Sequence, residues 1–234
     1  MSLVLLWLAQ VTLFTIGVFG PWHDAPEAHT NGRVARPIRM LLSVSLVVAA
    51  ALVYARSSGT VVPYAGWVLL GMAASCVGDF IMARLIVVPN RLIGGMAAFG
   101  LAHLFYVVAY VRTLRFAGEA FPNLGFWLGL VVYGLISGIG WWAFIRNPKK
   151  SAALNTGALV YGSWIGVMAS AALALAVGVG GAFWLTALGA VVFIASDFLI
   201  GATEIRGQPL ANANDWIWLT YVAAQMGIIY AGAV

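Results

Sequence analysis

Charge is scarce in this chain: Asp, Glu, Lys and Arg supply 8% of its 234 residues, against about 25% in soluble domains. With 63% hydrophobic residues, that shortage excludes a soluble globule. What remains is an all-α, polytopic membrane protein, a single transmembrane domain over residues 1–234. The lone cysteine, Cys76, excludes an intrachain disulfide and a cysteine-based metal cage. Basic residues interleaved with aromatics are missing too, which excludes a nucleic-acid partner. No Lys or Arg precedes the apolar run 3–20 and no small-residue cleavage pattern follows it, so the run reads as a retained first helix.

What is present is a series of long apolar stretches. A crossing needs about 20 apolar residues, and eight stretches approach that length: 3–20, 38–55, 63–83, 92–112, 123–145, 152–177, 182–203 and 215–233. Pro37, Pro63, Pro89, Pro122, Pro148 and Pro209 fall at or beside their ends, where a missing N–H costs least. The split at Gly178-Val179-Gly180-Gly181 has the weakest signal. Arg33, Arg36, Arg39, Arg84, Arg91, Arg146, Lys149, Lys150 and Arg206 follow the odd spans, against Arg56, Arg112 and Arg115 after the even ones. That asymmetry predicts cytoplasmic odd loops and both termini on the far side. The expected location is a bacterial inner membrane.

Two aspartates break the rule that charge stays out of the spans. Asp79-Phe80 follows Leu70-Gly71, and Asp197-Phe198 follows Leu188-Gly189 at the same spacing. A carboxylate at membrane depth costs about 2.5–3.5 kcal/mol on insertion scales and marks a functional site by default. The two blocks lie half a chain apart, so two parallel four-helix repeats are a natural reading.

Helical spacing groups other polar side chains with them. Gly71, Ser75 and Asp79 share one face of span 3; Phe99, His103, Tyr106 and Tyr110 share one face of span 4. Asp197 lies below Phe193 with Ser196 beside it, Tyr221 and Gln225 lie one turn apart, and span 6 offers Tyr161. At ~1.5 Å per residue, Asp79 and Asp197 lie about 7 and 10 Å from the nearest interfacial charge, and His103 and Gln225 lie deeper. All are measured from the same end, so one polar pocket opening there can hold them. Plainer roles exist for each except the aspartates. Ser75, Ser163 and Ser196 can bond back to helix carbonyls, the tyrosines can pack or sit at the interface, and His103 can be a satisfied interior histidine. Arg84 and Glu204 can snorkel or pair near the interface. Asp79, His103 and Asp197 could offer three ligands to zinc, but no paired-histidine motif accompanies them; the expectation is no metal and no cofactor.

Gly71…Ser75-Cys76-Val77-Gly78-Asp79 followed by Gly100-Leu101-Ala102-His103-Leu104-Phe105-Tyr106 resembles the paired signature of the YhhN family of lysoplasmalogenases. Arg36-Pro37, Tyr161…Ile165…Met168, Ser196-Asp197 and Tyr221…Ala224-Gln225 follow in the family's order. Arg36 stands where the family usually has lysine. The resemblance implies an eight-span hydrolase that cleaves the vinyl ether bond of a lysophospholipid substrate drawn from the membrane lipid. The products would be a fatty aldehyde and glycerophosphoethanolamine or glycerophosphocholine. It also implies a distant likeness to membrane hydrolases that hold zinc with several histidines, which this chain lacks.

Such a cleavage needs a proton for the β-carbon and a water for the resulting cation. Two carboxyl groups can divide that work, as in glycoside hydrolysis. The expected catalytic set is therefore Asp79, Asp197 and His103, with His103 orienting the water. Tyr106, Tyr161, Ser75, Ser196, Tyr221 and Gln225 would hold substrate oxygens, and Arg84 or Arg91 would meet the phosphate. Two other classes fit the same aspartates: a proton- or cation-coupled transporter, and a lipid-binding module without chemistry.

Overall fold

The computed structural model describes residues 3–19, 34–59 and 61–233. His23, Asp24, Glu27, His29 and Arg33, the polar part of the first long connection, lie outside the described residues. Among the described residues every regular element is helical: α1 (Leu3–Phe19), α2 (Arg36–Arg56), α3 (Val61–Met82), α4 (Arg91–Phe116), α5 (Leu124–Gly140), α6 (Ala152–Val179), α7 (Phe183–Ile200) and α8 (Ala213–Tyr230). Short π-helical segments, Trp141–Ile145 and Gly201–Ile205, extend α5 and α7. Six of the helices are long and apolar enough to cross a membrane; the other two are the 17-residue α1 and the 18-residue α8. The chain is an integral membrane protein built of helices.

Local chemistry explains where the helices start and stop. Pro37 occupies the first turn of α2, where it removes no helical hydrogen bond. Asn90 caps α4 by accepting from the N–H groups of Leu92 and Ile93, Asn123 caps α5 through Phe126, and Ser151 caps α6 through Leu154. Between α6 and α7, Gly180 and Gly181 take φ of +76° and +58°, a region open to glycine at little cost. The division that the sequence marked most weakly is thus a two-glycine turn. Boundaries shift by a few residues, most at the end of α4, which runs to Phe116, so Arg112 and Arg115 belong to its last turns rather than to a loop.

The neighbours form a closed ring in the order α2, α3, α4, α6, α7, α8 and back to α2, with α1 packed on α2 and α5 on α6. Outer positions of α5 such as Leu128, Val131, Leu135 and Ile139 are exposed apolar residues, as a lipid-facing helix requires. Small residues let the ring close tightly. A Cβ on Gly71 would stand 2.2 Å from the Tyr106 ring, and one on Gly189 would stand 2.7 Å from the Ala224 carbonyl. Asp79 stands on α3 and Asp197 on α7. In the ring these two helices are not successive members, yet the aspartates they carry border one cavity.

Candidate functional site

A cavity of about 850 Å³ opens at the end of the bundle that carries the α3–α4 and α7–α8 connections. That volume falls in the range of small-molecule sites, about 300–1,000 Å³. Both Asp79 and Asp197 line it, together with Ser196 and Tyr221. Arg36, Arg39, Arg84 and Arg91 also line it, with Glu204. Glu204 is engaged by Arg91 at 2.8 Å, while Arg39 lies 5.9 Å from the Trp218 ring centroid. The cavity wall therefore carries more cations than anions outside the aspartate pair.

Each aspartate is held by hydroxyl donors. Asp79, 4% exposed, accepts at Oδ2 from Ser43 Oγ at 2.5 Å and from Tyr221 OH at 2.7 Å. Asp197 accepts at Oδ2 from Tyr161 OH at 2.8 Å. Hydrogen bonds to charged groups contribute about 1.5–3 kcal/mol each, so the two on Asp79 are of the size needed to offset placing a carboxylate in a membrane helix. Among the described residues Asp197 has a single side-chain donor, and it has a place on the cavity wall. Of the two carboxyl groups it is the less fully engaged.

The deeper residues form a separate layer. Tyr106 OH donates to Gln225 Oε1 at 2.8 Å, and Gln225 Nε2 donates to Ser75 Oγ at 3.1 Å. All three are fully buried and tie α4 to α8 and α8 to α3 beneath the cavity. Ser196 Oγ donates to the Ile217 carbonyl on α8 at 3.1 Å rather than back to its own helix. His103 is also fully buried. Its ring lies 4.8 Å from Phe193, 5.8 Å from Tyr161 and 6.2 Å from Tyr106, centroid to centroid, and among the described residues neither ring nitrogen has a hydrogen-bond partner. It does not stand on the wall of the cavity. Spacing along α4 gave its face but not its reach.

Ser43 is the residue that the sequence reading missed. A serine in an apolar helix, with Ser45 two residues on, carries no signal of its own, yet an internal register marks it. Ser43 precedes Asp79 by 36 residues, and Tyr161 precedes Asp197 by 36. These are the two α2 and α6 donors, each serving the aspartate of the following helix.

The YhhN family model matches residues 35–232. The chain belongs to the YhhN family. No curated protein and no solved structure matches it. For this YhhN chain the donor set does not fit a zinc ion: among the described residues no three His, Cys, Asp or Glu side chains come together as ligands.

Proposed function

We propose that this protein is an eight-span hydrolase that cleaves the vinyl ether bond of lysoplasmalogen, using Asp79 and Asp197 as an acid and base pair. The observation that carries the reading is the meeting of two intramembrane aspartates, each hydrogen-bonded to a hydroxyl, on one arginine-bearing cavity. The family's lysoplasmalogenase character supports the substrate. The ring of neighbours maps onto itself when shifted by four helices, which supports descent from two parallel four-helix units. The basic odd loops support a cytoplasmic mouth.

The chemistry follows from the arrangement. One carboxyl group gives its proton to the β-carbon of the vinyl ether, and the π electrons form the new C–H bond. Positive charge develops on the α-carbon and ether oxygen, close to a carboxylate that stabilises it. Water adds at the α-carbon and passes its proton to a carboxylate. The hemiacetal then breaks its C–O bond as the departing glycerol oxygen takes up a proton. Alkenyl ether and one water become aldehyde and alcohol. Arginines on the cavity wall, Arg84 above all, face the phosphate of the head group.

Detergent-purified protein incubated with lysoplasmalogen should release fatty aldehyde, and with an ester-linked lysolipid it should release none. Proton-coupled flux in proteoliposomes with no aldehyde would assign the pair to transport instead. Within the same assay, Tyr221→Phe removes one of the two donors to Asp79 and leaves the ring packing. Loss of about 1.5–3 kcal/mol lowers kcat/KM by about 10–100-fold. An unchanged kcat/KM would show that the Tyr221 contact is structural only.

A further inference from the structure

A second, apolar slot of about 80 Å³ adjoins the arginine-bearing cavity. It runs between α4, α5, α6 and α7, and its walls include Phe99, Ile136, Trp141, Gly162, Ile165 and Asp197. Met82, Phe99, Asp197 and Ile200 border both spaces. Asp79 borders only the larger one. Asp197 thus stands at the junction between a chamber with charged walls and one made almost wholly of hydrocarbon.

We infer that the slot receives the first methylenes of a single unbranched hydrocarbon chain whose phosphate head group occupies the larger cavity, so that Asp197 faces the carbon on the chain side of the scissile bond. The inference rests on the hydrolase reading and deepens it. Four observations commit the occupant. At about 80 Å³ beside about 850 Å³ for its neighbour, and with mostly apolar walls, the slot suits methylenes rather than a charged head group. Its mouth is shared with a cavity lined by Arg36, Arg39 and Arg84, so an amphiphile with an anionic head spans both. Its outer wall includes Ile136, which is 43% exposed on the lipid-facing helix α5, so the remainder of the chain passes into the bilayer. The two π-helical segments contribute Trp141, Ile145, Gly201 and Ile205 to the wall and touch each other, and such segments recur at functional sites.

This placement orders the chemistry. In a vinyl ether the β-carbon lies toward the chain and the ether oxygen toward the head. Asp197, at the mouth of the slot, gives its proton to the β-carbon. Asp79, on the head-group side, stabilises the cation and takes the proton of the attacking water. Because only the proximal methylenes are enclosed, selectivity falls on chain shape next to the reacting bond rather than on total length.

Gly162 is the point at which to block the slot, because a Cβ built there meets no atom within 4 Å. The probe is an ester-linked lysophosphatidylethanolamine with a diazirine on the proximal methylenes, which reports binding without vinyl ether cleavage. Irradiation of the full chain should label peptides of α5, α6 and α7 that border the slot. Gly162→Phe should cut that labelling at least 10-fold and lower kcat/KM for lysoplasmalogen to a similar degree. Ile136→Trp, at the lipid-facing mouth, serves as a second variant should Gly162→Phe fail to fold. Labelling spread evenly over lipid-facing helices, or confined to α2 and α8, would overturn the inference even if aldehyde is released. Labelling of the slot without any aldehyde would keep the chain site and overturn the hydrolase reading.

Discussion

Asp197→Asn should reduce kcat for aldehyde release by about 10³-fold, within the 10²–10⁴ that a positioned general acid supplies and equal to about 4 kcal/mol. The amide has the size of the carboxyl group, and its oxygen still accepts from Tyr161, so the ring keeps its packing. What it cannot do is give a proton to carbon. Binding of the ester-linked lysolipid should therefore persist while turnover disappears. Asp79→Asn should cost less, about 10²-fold, because Asp79 supplies charge and takes a proton from water but does not begin the reaction. Steady-state kinetics on the two purified variants measures the order directly. Equal losses would remove the assignment of separate roles, and normal turnover in either variant would remove that residue from the chemistry.

The second large effect is structural. Gly189 on α7 and Gly227 on α8 face each other: a Cβ on Gly189 would stand 2.7 Å from the Ala224 carbonyl, and one on Gly227 would stand 2.9 Å from the Leu185 carbonyl. Both obstacles are backbone, which cannot rotate away as a side chain can. Gly189→Leu forces α7 and α8 apart, and overpacking of this kind costs about 1–3 kcal/mol or more. Since Asp197 stands on α7 and Tyr221 on α8, the same change displaces the site. The apparent Tm in detergent should fall by about 2–12 °C, at ~2–4 °C per kcal/mol for a chain of this size. Gly134→Leu on the outer helix α5 meets no atom within 4 Å and should leave Tm unchanged. A Gly189→Leu protein as stable as its parent would mean that the α7–α8 approach is looser than drawn.

The helices were legible because a membrane segment must be apolar throughout and its ends carry caps. Pro37, Pro89 and Pro122 mark those ends in plain residue types, whereas the Gly180-Gly181 turn was the end marked most weakly. Asp79 and Asp197 were legible for the opposite reason: carboxyl groups at that depth stand out from everything around them. Their hydroxyl donors were harder to find. Tyr221 and Tyr161 were singled out as polar residues within an apolar helix, but nothing in spacing alone said which aspartate each would reach. Ser43 was invisible until its 36-residue offset matched that of Tyr161. The ring order was not legible at all, since it depends on which helix faces meet. His103 shares the α4 face with Tyr106, as its spacing required, yet it packs against Phe193 and does not stand on the cavity wall. Tyr106, Gln225 and Ser75 share that lesson: correct face, with contacts that tie helices together below the site.

The protonation of carbon is the step on which the account depends, and solvent labelling reports it. When lysoplasmalogen is hydrolysed in deuterium oxide and the aldehyde is trapped at once by reduction, mass spectrometry should find one deuterium on the carbon next to the former carbonyl. Aldehyde carrying no deuterium at that carbon, or no aldehyde from the purified protein, would contradict it.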